Sequence, residues 1–294
     1  MTILHKLTLN LIFTVFVVSA LRIVEQLDLK LEPQMEDLEK YLEDYVSNKP
    51  FALLLDYDGT LAAIQPHPNM TYMTEYTKEA LLNISSYPNV YLAVISGRGV
   101  DDVKTKVGID GIVYAGNHGL EILYPNGTRY IHEVPSDVKA NFTKMVDALE
   151  NLKRDGSWVE NKKFSVTFHF RAVPEKDHEK INNEAKEIIE KFGYRANPAH
   201  CAIEAKPPVV WHKGKAAEYI LNHSFGKDWR EKIQVVFAGD DTTDEDVFEL
   251  LQGIGVTFRV TKDPNIVTKA TYKVPSTEAV TKVLQWVDKK FGNK

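Results

Sequence analysis

The chain has 294 residues, enough for about two domains at a typical ~150 residues each and for a core that needs no staples. Its 26% charged and 44% hydrophobic content is that of a globular protein, not a disordered or fibrous one. With 36 basic and 41 acidic side chains the net charge is -5, which leaves no cationic surplus for nucleic acid or an anionic membrane, and the single Cys201 excludes an internal disulfide or a cysteine-built zinc site.

The N-terminus reads as a signal peptide over residues 1–20. Lys6 precedes a run, Leu7 to Val18, that is almost wholly apolar, and Val18-Ser-Ala20 offers a small-residue cleavage site. The run is shorter than the ~20 residues that span a bilayer, so no stable membrane insertion is expected after cleavage. Asn-x-Ser/Thr sequons at Asn69, Asn83, Asn126, Asn141 and Asn222 favour the same secretory route and a glycoprotein; a cytoplasmic location is the alternative. Residues 21–49 read as an acidic helical segment, with Leu31, Met35, Leu38, Leu42 and Val46 at helical spacing.

Phe51-Ala-Leu-Leu-Leu55 is a short, continuous apolar run, the mark of a strand buried on both faces. Val90 to Ile95, Ile112 to Ala115 and Ile233 to Ala238 repeat the pattern, with helical stretches between them. That alternation predicts an α/β fold with a Rossmann-like parallel sheet, covered on both sides. Residues 134–208 differ. Helical spacing at Val138, Phe142, Met145 and Leu149, an alternating strand over Phe164–Phe170, a second helix through Ile181, Ala185 and Ile189, and a strand from Cys201 predict an inserted α+β module. The core is then 50–133 together with 209–294.

In such sheets ligands bind beyond the carboxyl ends of the strands, and the polar clusters lie there. Asp56-Tyr-Asp58 follows the first strand. Asp-Gly alone reads as a turn, but the segment after it makes a poor hairpin partner, and two carboxylates at one strand tip repel unless a cation or shared proton intervenes. Gly239-Asp-Asp-Thr-Thr-Asp244 adds Asp240, Asp241 and Asp244 at another tip. Glu245 and Asp246 are explained by a helix N-terminus, whereas the Asp240–Asp241 pair is not. Together these acids predict an oxygen-ligand site for Mg²⁺. Ser96-Gly-Arg98 offers a hydroxyl and backbone amides at a helix start, which suits phosphate. Lys213, also at a helix start, requires an anionic partner.

These elements in order, Asp56-x-Asp-x-Thr60, Ser96, Lys213 and Gly239-Asp-Asp-x-x-Asp244, resemble the haloacid dehalogenase superfamily. Ile95-Ser-Gly-Arg98, Gly116-Asn-His-Gly-Leu-Glu121 and Gly239-Asp-Asp-Thr-Thr-Asp-Glu-Asp-x-Phe248 narrow the resemblance to the trehalose-6-phosphate phosphatase family, from about Pro50 to the C-terminus. The resemblance implies a Mg²⁺-dependent phosphatase for a small-molecule sugar phosphate. It makes Asp56 the nucleophile and Asp58 the general acid and base. It puts Mg²⁺ on the Asp56 carboxylate, the Asp58 carbonyl and Asp240, with Asp241 or Asp244 holding its waters, and Ser96 and Lys213 on the phosphoryl oxygens. It makes the inserted module a mobile cap over the sugar. Implied substrate contacts are Thr60, Arg98, Asn117, His118, Gly119, Glu121, Arg171, Glu204 and Lys206. The family commonly has Arg where Lys206 precedes Pro207, and the two cations are not interchangeable. No synthase-like domain is expected in the 49 residues before Pro50. Two rival readings stay open: a phosphatase for another sugar phosphate, and a secreted inactive relative that binds or stores its ligand.

Overall fold

The computed structural model describes residues 35–47 and 49–292. The expected signal peptide, residues 1–20, and the first part of the acidic segment lie outside the described residues. Among the described residues no helix is long and apolar enough to cross a membrane.

In chain order the core contributes α1 (Met35–Tyr45), β1 (Phe51–Leu55), α2 (Glu75–Ser85), β2 (Val90–Ile95), α3 (Val100–Val107), β3 (Val113–Gly116), β4 (Glu121–Leu123) and β5 (Arg129–Ile131). The insertion follows with α4 (Ser136–Leu152), β6 (Trp158–Asn161), β7 (Val166–His169), α5 (His178–Lys191), β8 (Arg195–Ala199) and β9 (Ala202–Lys206). The core resumes with α6 (Lys213–Phe225), α7 (Trp229–Lys232), β10 (Gln234–Gly239), α8 (Glu245–Leu251), β11 (Val256–Val260), β12 (Tyr272–Val274) and α9 (Thr277–Gly292).

The core strands form one eight-stranded sheet in the order β12-β11-β10-β1-β2-β3-β4-β5. Strand β1 lies at its centre, parallel to both β10 and β2. Its side chains divide between two apolar layers, as strand geometry requires. Leu53 and Leu55 pack with Leu81, Val103 and Leu284 from α2, α3 and α9. Ala52 and Leu54 pack with Ile220, Trp229 and Phe248 from α6, α7 and α8. Helices on both faces explain why β1 carries no polar alternation. The sheet is not wholly parallel, however: β4 and β5 add an antiparallel hairpin at one edge, turning through the exposed Pro125-Asn-Gly segment.

The insertion builds its own antiparallel sheet, β6-β7-β9-β8, with α4 and α5 packed on it. Met145, Leu149, Phe168, Ile181, Ile189 and Ile203 form a separate core. Two linkers join the units, and they touch: the His132 ring stacks on Trp211 with centroids 4.1 Å apart.

Candidate active site

Sheet order sets the location. The chain runs outward from β1 through β2 and β3, then returns on the other side through β10, β11 and β12. The β1/β10 junction is therefore the switch point, where adjacent loops diverge and leave a crevice. Strand β1 ends by presenting Asp56, and β10 ends in Gly239, which presents Asp240.

Asp56 and Lys213 are 4% and 2% exposed, so water does little to screen them. Lys213 Nζ donates to Asp56 Oδ1 and to Asp244 Oδ1, each at 2.8 Å. The cation at a helix start thus has the anionic partners that its position requires. Asp244 Oδ2 accepts the backbone N–H groups of Asp240 at 3.0 Å and Asp241 at 2.9 Å. Both oxygens of Asp244 are engaged, so it holds the lysine and the turn together.

Carboxylate oxygens of Asp56, Asp240 and Asp244 lie within 4.8 Å of one another. Burial pushes Asp56 well above the usual carboxylate range, although Lys213 pulls it down. Burial, then the Asp244 charge, pushes Asp240 up to about 7. For Lys213, burial opposes the charge, but Asp244 and Asp56 outweigh it and hold the ammonium well above its ordinary value. Three carboxylates against one ammonium leave negative charge to spare, and hard oxygen donors around it fit a divalent cation. Gly59 permits the approach: its φ is +76°, and a Cβ there would overlap the Asp240 carboxylate.

Asp58 is held apart from this cluster. Arg98 donates from Nε to Asp58 Oδ2 at 2.6 Å and from a terminal nitrogen to Asp58 Oδ1 at 2.7 Å, a two-pronged pair. The same guanidinium reaches Asp102 at 2.8 Å, the Pro68 carbonyl at 2.9 Å and Thr71 Oγ1 at 2.8 Å. Arg98 was expected to touch substrate; here its donors are spent on Asp58 and on the loop after β1. Ser96 is buried, and its Oγ accepts the Arg98 backbone N–H at 3.2 Å. Thr60 is also buried, with no hydrogen-bond partner for its hydroxyl.

Between core and insertion lies a cavity of about 310 Å³, lined by His118, Lys206, Arg195, Asn197, Trp211 and, at its inner end, Lys213. Glu204 contacts Lys206 at 3.0 Å, Lys162 at 3.1 Å and His118 at 3.4 Å. Burial pushes the Glu204 carboxyl up, but Lys162 and His118 outweigh it and hold it well below the usual range. For His118, burial lowers the pKa and Glu204 opposes this. Asn117 bridges the units: its amide nitrogen donates to the Lys162 carbonyl at 3.0 Å, and its oxygen accepts from Ser165 at 2.7 Å. Gly119 follows His118 and packs against Ala216 and Trp211.

Three expected residues are not drawn into this arrangement. Glu121 on β4 pairs with Arg129, which also reaches Asp101 at 2.5 Å. Arg171 is exposed, donating to the Pro66 carbonyl at 3.3 Å. The exposed Asp241 accepts the Thr242 N–H at 2.6 Å. Sequence reasoning in turn passed over Lys162, Arg195 and Asn197. Lys162 sits in Asn161-Lys-Lys-Phe164, which reads as a solvated turn, and β8 has no alternation to mark a strand face.

Comparison with known proteins adds to this geometry. The family model described as Trehalose-phosphatase matches residues 54–278. Probable trehalose-phosphate phosphatase C of Arabidopsis thaliana is 32% identical over 239 residues, covering 77% of this chain and 74% of that protein. Probable trehalose-phosphate phosphatase D of the same plant is 32% identical over 250 residues, covering 81% and 67%. Among solved structures, the C-terminal domain of C. albicans trehalose-6-phosphate phosphatase aligns with a TM-score of 0.72 at 21% identity, covering 88% of this chain and 98% of that one. At that identity the likeness establishes the fold alone.

Proposed function

The chain belongs to the trehalose-phosphatase family, and from that premise we propose that it hydrolyses trehalose 6-phosphate to trehalose and phosphate. The observation that carries the reading is the buried Lys213 shared between Asp56 and Asp244 at the switch point. Asp56 is the nucleophile: its carboxylate attacks phosphorus, the bond to the sugar oxygen breaks, and an aspartyl-phosphate forms. Lys213 and Ser96 hold the transferring oxygens and offset their charge. Asp58 protonates the departing sugar oxygen and then takes a proton from the water that releases phosphate. Arg98 orients Asp58 between these tasks. The Asp56 and Asp240 carboxylates and the Asp58 carbonyl would hold Mg²⁺, with Asp244 beside it. Bound there, it would polarise a phosphoryl oxygen as a Lewis acid. Glu204 and Lys206 recognise the sugar from the cap side of the cleft, and His118 from the core side.

The reading extends to location. The apolar start and the sequons support secretion, with glycans on exposed backbone. Asn126 stands at the exposed tip of the β4–β5 hairpin, a turn outside any helix or strand.

The test is phosphate release from trehalose 6-phosphate, glucose 6-phosphate and p-nitrophenyl phosphate, with Mg²⁺ and with a chelator. Preferred, Mg²⁺-dependent turnover of trehalose 6-phosphate is expected. Preference for another sugar phosphate would move the substrate assignment, and binding without turnover would replace the enzyme with a binding protein.

A further inference from the structure

Beside the acidic turn lies a buried cation that the reaction above does not use. Arg259 occupies β11, in register with Gly239 of β10, within Val256-Thr-Phe-Arg-Val260, where every residue is buried. It is 5% exposed. A guanidinium so placed is costly unless acceptors surround it. Arg259 finds them on one nitrogen, Nη1, which donates to the Asp241 backbone carbonyl and, at 3.2 Å, to the Glu245 carboxylate. Glu245 also accepts from Thr268 Oγ1 at 2.7 Å and the Lys269 N–H at 2.8 Å. Both ends of the Asp241–Glu245 turn are thereby tied to the neighbouring strand and the loop beyond it. The Arg259 Nε is buried with no partner.

The turn tied in this way follows directly on Asp240 and carries Asp244 near its far end. Asp244 grips the Asp240 and Asp241 backbones from within. Arg259 grips the Asp241 carbonyl from outside. We infer that Arg259 is a positioning residue for the cation site, fixing the turn so that the Asp240 carboxylate stays beside that of Asp56. This rests on the cation reading given above. Two roles for Arg259 have opposite signs and can be separated. As a nearby positive charge alone, it would repel a divalent cation, and its removal would tighten binding. As a tether, it preorganises the ligands, and its removal weakens binding.

The experiment titrates metal-stripped protein with Mg²⁺ in the absence of substrate, by calorimetry and by the Mg²⁺-dependent rise in melting temperature. Arg259→Met is expected to weaken Mg²⁺ binding by about tenfold or more, the usual cost of losing a partner behind the ligands. Arg259→Lys is expected to recover most of the loss, because a single ammonium can still bridge the two oxygens. At saturating Mg²⁺ the KM for substrate should stay near the wild-type value, since Arg259 touches no part of the sugar site. Mg²⁺ affinity in Arg259→Met that equals or exceeds the wild type overturns the inference. If wild-type protein binds no Mg²⁺, the cation reading itself fails and takes this inference with it. Should Arg259→Met not fold, Arg259→Gln, uncharged and too short to hold both the Asp241 carbonyl and the Glu245 carboxylate, decides by the same titration.

Discussion

Replacing Lys213 by Met removes the charge together with the terminal atom of the side chain and keeps most of its apolar stem. The ammonium lies 2.8 Å from each of two carboxylates and is almost wholly buried, so its loss strands Asp56 and Asp244 without a countercharge. Breaking a buried pair in this way costs about 3–5 kcal/mol. In a protein of this size that lowers Tm by roughly 6–20 °C, at about 2–4 °C per kcal/mol. Catalysis loses a donor aimed at the transferring phosphoryl group, worth about two to three orders of magnitude in kcat. The stability loss depends on pH. In the wild type, burial raises Asp56 while Lys213 opposes the rise. Without Lys213 the folded-state pKa climbs further above the unfolded value. A carboxyl raised in the folded state binds its proton more tightly there, so stability falls as pH rises from about 4 towards the folded pKa. The deficit of Lys213→Met should therefore be small at pH 4.5 and large at pH 8, measured by thermal melts in chelator. An equal deficit at both pH values would show that packing, not charge, sets the cost. A kcat within tenfold of wild type would remove Lys213 from the chemistry.

Asp56→Asn should fold normally and retain less than about a thousandth of wild-type kcat, because an amide cannot act as the nucleophile; substantial phosphate release would refute its role. Gly59→Ala forces a side chain into φ +76° and into the Asp240 carboxylate, so a strain cost of about 1–3 kcal/mol and a clearly higher Mg²⁺ requirement are expected, read by melting and by metal titration. Glu204 is raised by burial but held low by Lys162 and His118, so its contribution is present above pH ~4.3 and lost as pH falls through the folded value. Glu204→Gln should accordingly destabilise most at neutral pH and raise KM for trehalose 6-phosphate far more than for p-nitrophenyl phosphate; equal effects on both substrates would assign it to stability alone. Expression in a eukaryotic host should give secreted protein that begins near residue 21 and shifts on glycosidase treatment, a shift that Asn126→Gln reduces; intracellular protein keeping Met1 would reverse the assignment.

Much of the core was legible in the chain because its strands are covered on both faces. Phe51–Leu55, Val90–Ile95 and Val235–Ala238 are apolar runs, and the polar residues that follow them, Asp56 and Asp58, Ser96, and Asp240 and Asp241, stand out at their tips. Strands with one exposed face were harder to see. β6 and β8 are short and half-exposed, and the β4–β5 edge pairs antiparallel, which a count of apolar runs does not reveal. Candidate residues followed the same division. Asp56, Lys213, Asp240 and Asp244 converge, while Glu121 turns to Arg129 and Arg98 turns to Asp58.

By itself the sequence determined four of the core strands, though not the equally buried β11, and where the chemically costly acids sit, and it set residues 134–208 apart as an α+β stretch. Those properties are local: burial on both faces, turn residues and helical spacing leave their mark within a few positions. Only the tertiary structure decided which charges answer one another. Lys213 meets Asp56 across 157 positions of chain, and Arg98 meets Asp58 across 40. No periodicity encodes such pairs. They arise because parallel strands bring distant loops to one edge of the sheet, where a low-dielectric interior makes every buried charge find its partner.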